Sequence, residues 1–208
     1  MPGYDIVPCN DLNALEDKLK NNSVAAFMLE PIQGEAGVIV PDDGYLSKVR
    51  FLCSKYNVLF IADEIQTGIG RTGKMLATNY EDARPDILVL GKALSGGVLP
   101  VSAVLADDDV MLCIKPGEHG STFGGNPLAM TVGNTVMDIV SNKKFLKNVK
   151  NISKYFFIKF NNLKKGIKHN DARIIFASGN FWGRTLAAIS SSDDPLAYND
   201  FGPFMPGY

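Results

Sequence analysis

Four short apolar runs, VAAFMLEP (24–31), VLFIADE (58–64), DILVLGK (86–92) and PVSAVLAD (100–107), restrict the folds open to this chain more than any other feature. Each is rich in branched residues and nearly continuous in hydrophobicity, without the polar alternation of a strand that has one wet face. Such runs suit parallel strands covered on both faces. Between the first two runs, Tyr45, Leu46, Val49, Leu52, Cys53 and Tyr56 recur at helical spacing, so a helix carries the chain from one strand to the next. A second helix is predicted to start at Pro127, a residue suited to a first turn, and to bury Leu128, Val132, Val136 and Ile139. Strands alternating with helices give an open α/β sheet, mostly parallel, with flanking helices.

The chain has 208 residues, 46% hydrophobic and 21% charged, enough for one sizeable core and too apolar for disorder. A net charge of -1 supplies no general basic field, so no nucleic-acid partner is expected. The Lys-rich stretch from Lys143 to Lys168 reads as a solvated helical face. Cys9, Cys53 and Cys113 are odd in number and widely spaced, which fits neither a disulfide framework nor metal-ligand spacing. The expectations are a reducing compartment, no metal, no membrane span and no secretory leader.

Ligands of open α/β sheets gather beyond the carboxyl ends of the strands. Three apolar runs close there on polar groups: Glu30, Asp63 with Glu64, and Lys92. The stretch GIGRTGKM (68–75) satisfies G-x-G-x-x-G and most of a phosphate loop, which raises nucleotide binding as a rival reading. A phosphate loop needs Ser or Thr after its lysine, and Met75 stands there. A dinucleotide turn leaves its strand directly, whereas Asp63 to Thr67 intervene and bring two carboxylates of the wrong sign.

Asp63 and Lys92 together suit pyridoxal phosphate better. A lysine forms a Schiff base with its aldehyde, while a carboxylate keeps its ring nitrogen protonated. Each pKa unit by which the acid raises that nitrogen favours the protonated ring by about 1.4 kcal/mol. Once substrate amine displaces Lys92, it is free to act as a general base. GEHGSTFGGNP (117–127) could supply phosphate donors through free backbone N–H groups, Ser121 and Thr122, or could simply be a turn before a helix. SGNFWGRT (178–185) offers Phe181 to lie against a ring and Arg184 to grip a carboxylate, or a core Phe beside a surface Arg.

LFIADEIQTGIGRTGKM, LGKALSGG, EPIQGEAGV and HGSTFGGNPLA resemble the class III, fold-type I, pyridoxal-phosphate-dependent aminotransferases. GNFWGRT, with the C-terminal GPFMPGY read on into the N-terminal MPGYD, narrows the resemblance to members acting on L-ornithine and 2-oxoglutarate, since related enzymes commonly carry His where Trp182 stands. The resemblance implies that Lys92 carries the cofactor, Asp63 pairs with its ring nitrogen, Gln66 bonds its phenolic oxygen and Phe181 stacks on it. It also implies a homodimer in which Thr122, with Ser121 beside it, reaches the phosphate held by the other subunit. Arg184 would hold the substrate α-carboxylate, with Glu30 and Trp182 nearby and Glu35 paired with a gating arginine. The rival readings are an acetylornithine-type enzyme and a non-catalytic chain that binds the full-length enzyme. The assigned compartment is the cytoplasm, with the mitochondrial matrix as alternative.

The tetrapeptide MPGY occurs at both ends of the chain. Residues 1–163 resemble the central and later part of the family's large domain, and 164–208 the portion that precedes residue 1 in family order. The expectation is therefore a circularly permuted piece of that domain. With neither the family's small domain nor its same-subunit phosphate turn, cofactor binding is expected to be weak and turnover slow.

Overall fold

Asp11 begins the first helix, α1 (Leu12–Leu19): its carboxylate accepts from the Ala14 amide at 2.9 Å and satisfies one of the orphan donors of the first turn. The computed structural model describes residues 3–163 and 165–167. After α1 come β1 (Ala26–Leu29), α2 (Tyr45–Lys55), β2 (Leu59–Asp63), β3 (Ile87–Leu90), β4 (Ala103–Ala106), α3 (Asp108–Met111), α4 (Pro127–Val140) and α5 (Lys143–Leu163). One-turn 3-10 segments occupy Ala77–Tyr80 and Lys92–Ser95. The chain divides into two units, Met1–Ile32 with Val40–Lys150, and Gln33–Ile39 with Asn151–Tyr208.

The four strands form one sheet in the order β1-β2-β3-β4; the first three are parallel and β4 runs antiparallel on the edge. Leu29 lies opposite Ala62, and Asp63 opposite Val89, so the three parallel strands finish at nearly the same level. The predicted helix between β1 and β2 is α2, and its apolar stripe of Tyr45, Leu46, Val49, Leu52 and Cys53 is buried against Phe60 and Ala62 of β2, with Leu15 and Leu19 of α1. Full burial of a side chain such as Phe60 stabilises by about 1.5–3 kcal/mol. Burial in the same cluster pushes the Cys53 thiol up to about 11.

The start of α2 is held from a distance. Its N-cap is Gly44, at φ +81°, a left-handed conformation glycine adopts freely, and it has no side chain to cap with. Glu81 replaces that cap: one oxygen accepts from the Gly44 amide at 3.0 Å and the other from the Ser47 amide at 2.9 Å. Asp86 stitches the other end of the layer, accepting from the Phe60 amide at 2.7 Å and from Arg50 of α2 at 2.6 Å.

Two sequence expectations need correction. The helix α4 does start at Pro127, capped by Asn126, whose Oδ1 accepts from the Ala129 amide at 2.9 Å. Its buried residues, however, are Ala129 and Val140, with Val136 half-buried, while Leu128 and Ile139 are exposed. The inward face carries Ala129, Val136 and Val140: Val136 and Val140 pack in a cluster with Ala93 and Leu94, and a Cβ on Gly96 would lie 2.9 Å from the Val136 side chain. The strands, likewise, are not covered on both faces throughout. Met28 of β1 and Val104 and Leu105 of β4, the two edge strands among the described residues, are exposed.

The Lys-rich stretch is the helix α5, and its described side chains are largely exposed, as expected of a solvated face. Its aromatic members include Phe156 and Phe160, whose rings stack 6.2 Å apart. In the second unit, Gln33 and Ile39 exchange backbone hydrogen bonds of 3.0 and 2.9 Å and close a tight antiparallel loop. Among the described residues, no helix is long and apolar enough to cross a membrane.

Candidate active site

The level ends of β1, β2 and β3 bring Glu30, Asp63 and Lys92 to one edge of the sheet. Glu30 follows Leu29 at the end of β1, Asp63 is the last residue of β2, and Lys92 stands two residues past β3. Asp63 Oδ1 accepts from the Ile65 amide at 3.0 Å, and among the described residues no hydrogen bond reaches its Oδ2. Lys92 Nζ donates to Gln66 Oε1, which joins the tip of β3 to the turn that leaves β2. The backbone of Lys92 is unusual: its φ is +41°, in the left-handed region that lysine seldom occupies. Such a conformation persists where surrounding structure holds it, and it gathers at functional sites.

Lys92 opens onto a cavity of about 520 Å3. Ser95 and Ser102 line it from the sheet side, and Ser121, Gly124 and Asn126 from the turn before α4. This turn is shaped by short-range bonds. Ser121 Oγ accepts from the Gly124 amide at 2.9 Å, and Gly124 leaves no room for a Cβ, which would sit 2.8 Å from the Ser121 side chain. The predicted phosphate segment is thus brought beside Lys92, although Thr122 does not line this cavity while its neighbours Ser121 and Phe123 do.

GIGRTGKM is folded back on itself rather than opened around a ligand. The Gly70 amide donates to Met75 O at 3.1 Å and the Gly73 amide to Gly70 O at 3.0 Å. A Cβ on Gly70 would lie 2.5 Å from Val140, so this glycine serves close packing against α4. A 3-10 turn follows, not a helix, so the stretch lacks the helix N-terminus of a nucleotide site.

The class-III aminotransferase family matches residues 6–169. The chain belongs to that family. It is 62% identical over 148 residues to the mitochondrial ornithine aminotransferase of Drosophila melanogaster, covering 71% of this chain and 34% of the relative. With the mitochondrial ornithine aminotransferase of Arabidopsis thaliana it shares 49% identity over 208 residues, 97% of this chain and 44% of the relative. The solved ornithine aminotransferase of Plasmodium yoelii superposes with a TM-score of 0.73 at 54% identity, covering 78% of this chain and 43% of that one. An acetylornithine aminotransferase from Elizabethkingia anophelis does so with a TM-score of 0.76 at 53% identity, covering 79% and 44%. The chain therefore spans between about a third and somewhat under half of the length of these relatives.

Of the residues singled out in the sequence, Lys92 and Ser121 line the cavity, Gln66 is bonded to Lys92, Asp63 ends the neighbouring strand without lining the cavity, and Glu30 follows β1. Glu35 lies in the Gln33–Ile39 loop of the other unit. Phe181, Trp182 and Arg184, with the rest of the 164–208 segment apart from 165–167, lie outside the described residues. Three cavity-lining groups, Ser95, Ser102 and Asn126, had not been anticipated; for Asn126 the signal was present, since an Asn directly before a first-turn proline is a helix cap and so fixes where that turn ends.

Proposed function

We propose that this chain carries the cofactor-holding core of an ornithine-type aminotransferase, moving the δ-amino group of L-ornithine to 2-oxoglutarate to give glutamate 5-semialdehyde and L-glutamate. The observation that carries this reading is the Lys92 amine, paired with Gln66 and mounted one strand away from Asp63 at the open edge of the sheet. The donor set fits pyridoxal phosphate: an amine for the aldehyde, a carboxylate for the ring nitrogen, an amide for the phenolic oxygen, and hydroxyl and backbone N–H groups beside a cavity of suitable size. Bound there, the cofactor would supply an electron sink for the substrate carbon that exchanges a proton.

The work of the chain's own residues follows from their positions. Asp63 is fixed through Oδ1 by the Ile65 amide, which leaves Oδ2 to hold a proton on the ring nitrogen. Gln66 holds the Lys92 amine, and Lys92 Nζ would serve to move the proton at the reacting carbon. Ser121 and the backbone of the turn before α4 would face the phosphate. The resemblance implies a homodimer in which Thr122, which does not line its own chain's cavity, serves the neighbouring site. The mitochondrial names of the fly and plant relatives favour the matrix as compartment over the cytoplasm.

The test is direct. Wild-type protein mixed with pyridoxal phosphate should develop the visible absorbance of lysine-bound cofactor, and Lys92→Ala should not. Identical spectra would remove Lys92 from its role. Asp63→Asn should keep the absorbance and slow amino transfer by at least tenfold. Solved acetylornithine aminotransferases from Elizabethkingia anophelis and Stenotrophomonas maltophilia support the acetylornithine reading, and turnover of N-acetylornithine above that of ornithine would prefer it.

A further inference from the structure

Glu64 is a buried titratable group that the chemistry above leaves unused. It follows Asp63 directly and is completely enclosed. Three donors converge on its carboxylate: the Thr78 amide reaches Oε1 at 2.8 Å, the Ala77 amide reaches Oε2 at 3.0 Å, and the Thr67 hydroxyl donates to Oε2 as well. Its main chain is equally engaged, the amide donating to Val89 O of β3 at 3.0 Å and the carbonyl accepting from the Gly68 amide at 2.8 Å. A carboxylate removed from water is tolerated only with such a full set of partners.

These bonds have a geometric result. Everything between Glu64 and Thr78 is tied at both ends to one side chain, and Gln66 lies inside the tied segment, between Glu64 and the Thr67 that bonds it. The turn is tight enough that a Cβ on Gly68 would lie 2.7 Å from the Glu64 carbonyl oxygen. Ile69, buried at φ +53°, is in a conformation that β-branched residues rarely adopt and that only over-determined surroundings maintain.

We propose that Glu64 is a positioning residue: by locking the 65–78 loop to the end of the sheet, its carboxylate sets where Gln66 Oε1 meets Lys92 Nζ. The inference rests on the functional reading above only for the importance of Lys92, not for the geometry. Glutamate is required because the pocket offers donors. A glutamine would turn its NH2 toward either the Ala77 or the Thr78 amide, leaving one buried N–H without an acceptor.

The experiment uses the cofactor-free full chain and reads the rate at which acetic anhydride modifies Lys92 at fixed pH, by mass spectrometry, with the exposed Lys115 as internal reference. Gln66→Ala should speed modification of Lys92 by about threefold, the scale set by losing one hydrogen bond. Glu64→Gln should speed it similarly, and the double variant should be no faster than Gln66→Ala alone. Leu19→Ala, a core change in α1, should lower the unfolding midpoint without altering the ratio. If Glu64→Gln only destabilises in the manner of Leu19→Ala, or if the double variant is additive, the proposal is wrong. Should Glu64→Gln not fold, Thr67→Val removes one of the three donors at constant shape; an intermediate acceleration supports the proposal and an unchanged ratio overturns it. The cofactor absorbance of the wild type is read separately, so its absence would sink the aminotransferase reading while the labelling ratios still decide the role of Glu64.

Discussion

Glu81→Ala should weaken the chain through a helix that Glu81 does not belong to. Its two carboxylate oxygens accept from the Gly44 and Ser47 amides, at 3.0 and 2.9 Å, so it supplies the whole side-chain cap of α2. Losing an N-cap acceptor costs about 0.5–2 kcal/mol, and a negative charge beside a helix N-terminus adds about 0.3–1 kcal/mol. Ser47 is exposed, and water will satisfy its amide once the carboxylate is gone; Gly44 is half-buried and will be satisfied less well. These considerations place the loss near 1.5 kcal/mol, in the lower half of the summed range. Glu81→Gln keeps one acceptor and gives up the charge, and should lose roughly half as much. With a urea dependence of about 1–3 kcal/mol/M, the alanine variant should unfold about 0.5–1.5 M earlier at unchanged slope. Hydrogen exchange locates the effect: the Gly44 and Ser47 amides should lose protection first. A midpoint unmoved by Glu81→Ala, or loss of protection spread evenly over the sheet, would refute the capping argument.

Cys53 should resist alkylation in the folded protein at about pH 8, because burial raises its thiol to about 11, while the exposed Cys9 and Cys113 react; labelling of all three at equal rates would contradict the packing of α2. Glu16 accepts from Lys55 Nζ at 2.6 Å and from the Tyr56 hydroxyl at 2.8 Å, bonds that hold its carboxyl below the ordinary value of 4.5. On unfolding the carboxyl returns to that value and takes up its proton more readily, so this contribution is present above pH 4.5 and is lost as pH falls through the lowered folded value. Glu16→Gln should therefore flatten the acid limb of a stability–pH curve, and an unchanged limb would count against the triad. Val140→Ala should cost about 1–2 kcal/mol and Ile139→Ala less than about 0.5 in chemical unfolding; the reverse order would mean that α4 is turned the other way.

The sheet and its first crossover were readable because the residues concerned leave little choice. Branched apolar runs too short for helices flanked a stripe whose Tyr45, Leu46, Val49, Leu52 and Cys53 all proved buried. On α4 the same reasoning holds for Val132 and Val136, which are half-buried, and fails for Leu128 and Ile139, which are exposed. Apolar residues lie nearly all round that helix, so period alone cannot separate Leu128–Val132–Val136–Ile139 from the stripe one residue on. What decides is the partner, the Lys92–Ser95 turn, whose Ala93 and Leu94 pack in one cluster with Val136, Met137 and Val140. Information of that kind sits in another segment of the chain and is not visible locally. The same holds for the cap of α2, whose acceptor lies 37 residues beyond Gly44.

At the candidate site, by contrast, the strand pattern itself separates two neighbouring acids. Asp63 and Glu64 look interchangeable as neighbouring acids at a strand end, yet one lies half-open and the other has no exposed surface. Successive side chains on a strand point to opposite faces. Phe60 and Ala62 pack against the buried stripe of α2 and are fully enclosed, and Glu64 continues that series two residues on; Leu59 and Ile61 are half-buried, and Asp63 continues theirs. Once the helix stripe has said which face of β2 is covered, parity alone assigns Asp63 to the face a ligand can reach and Glu64 to the interior. The identity of the buried acid's donors could not be had the same way, because Ala77 and Thr78 stand 13 and 14 residues further along, past a loop whose path only packing determines.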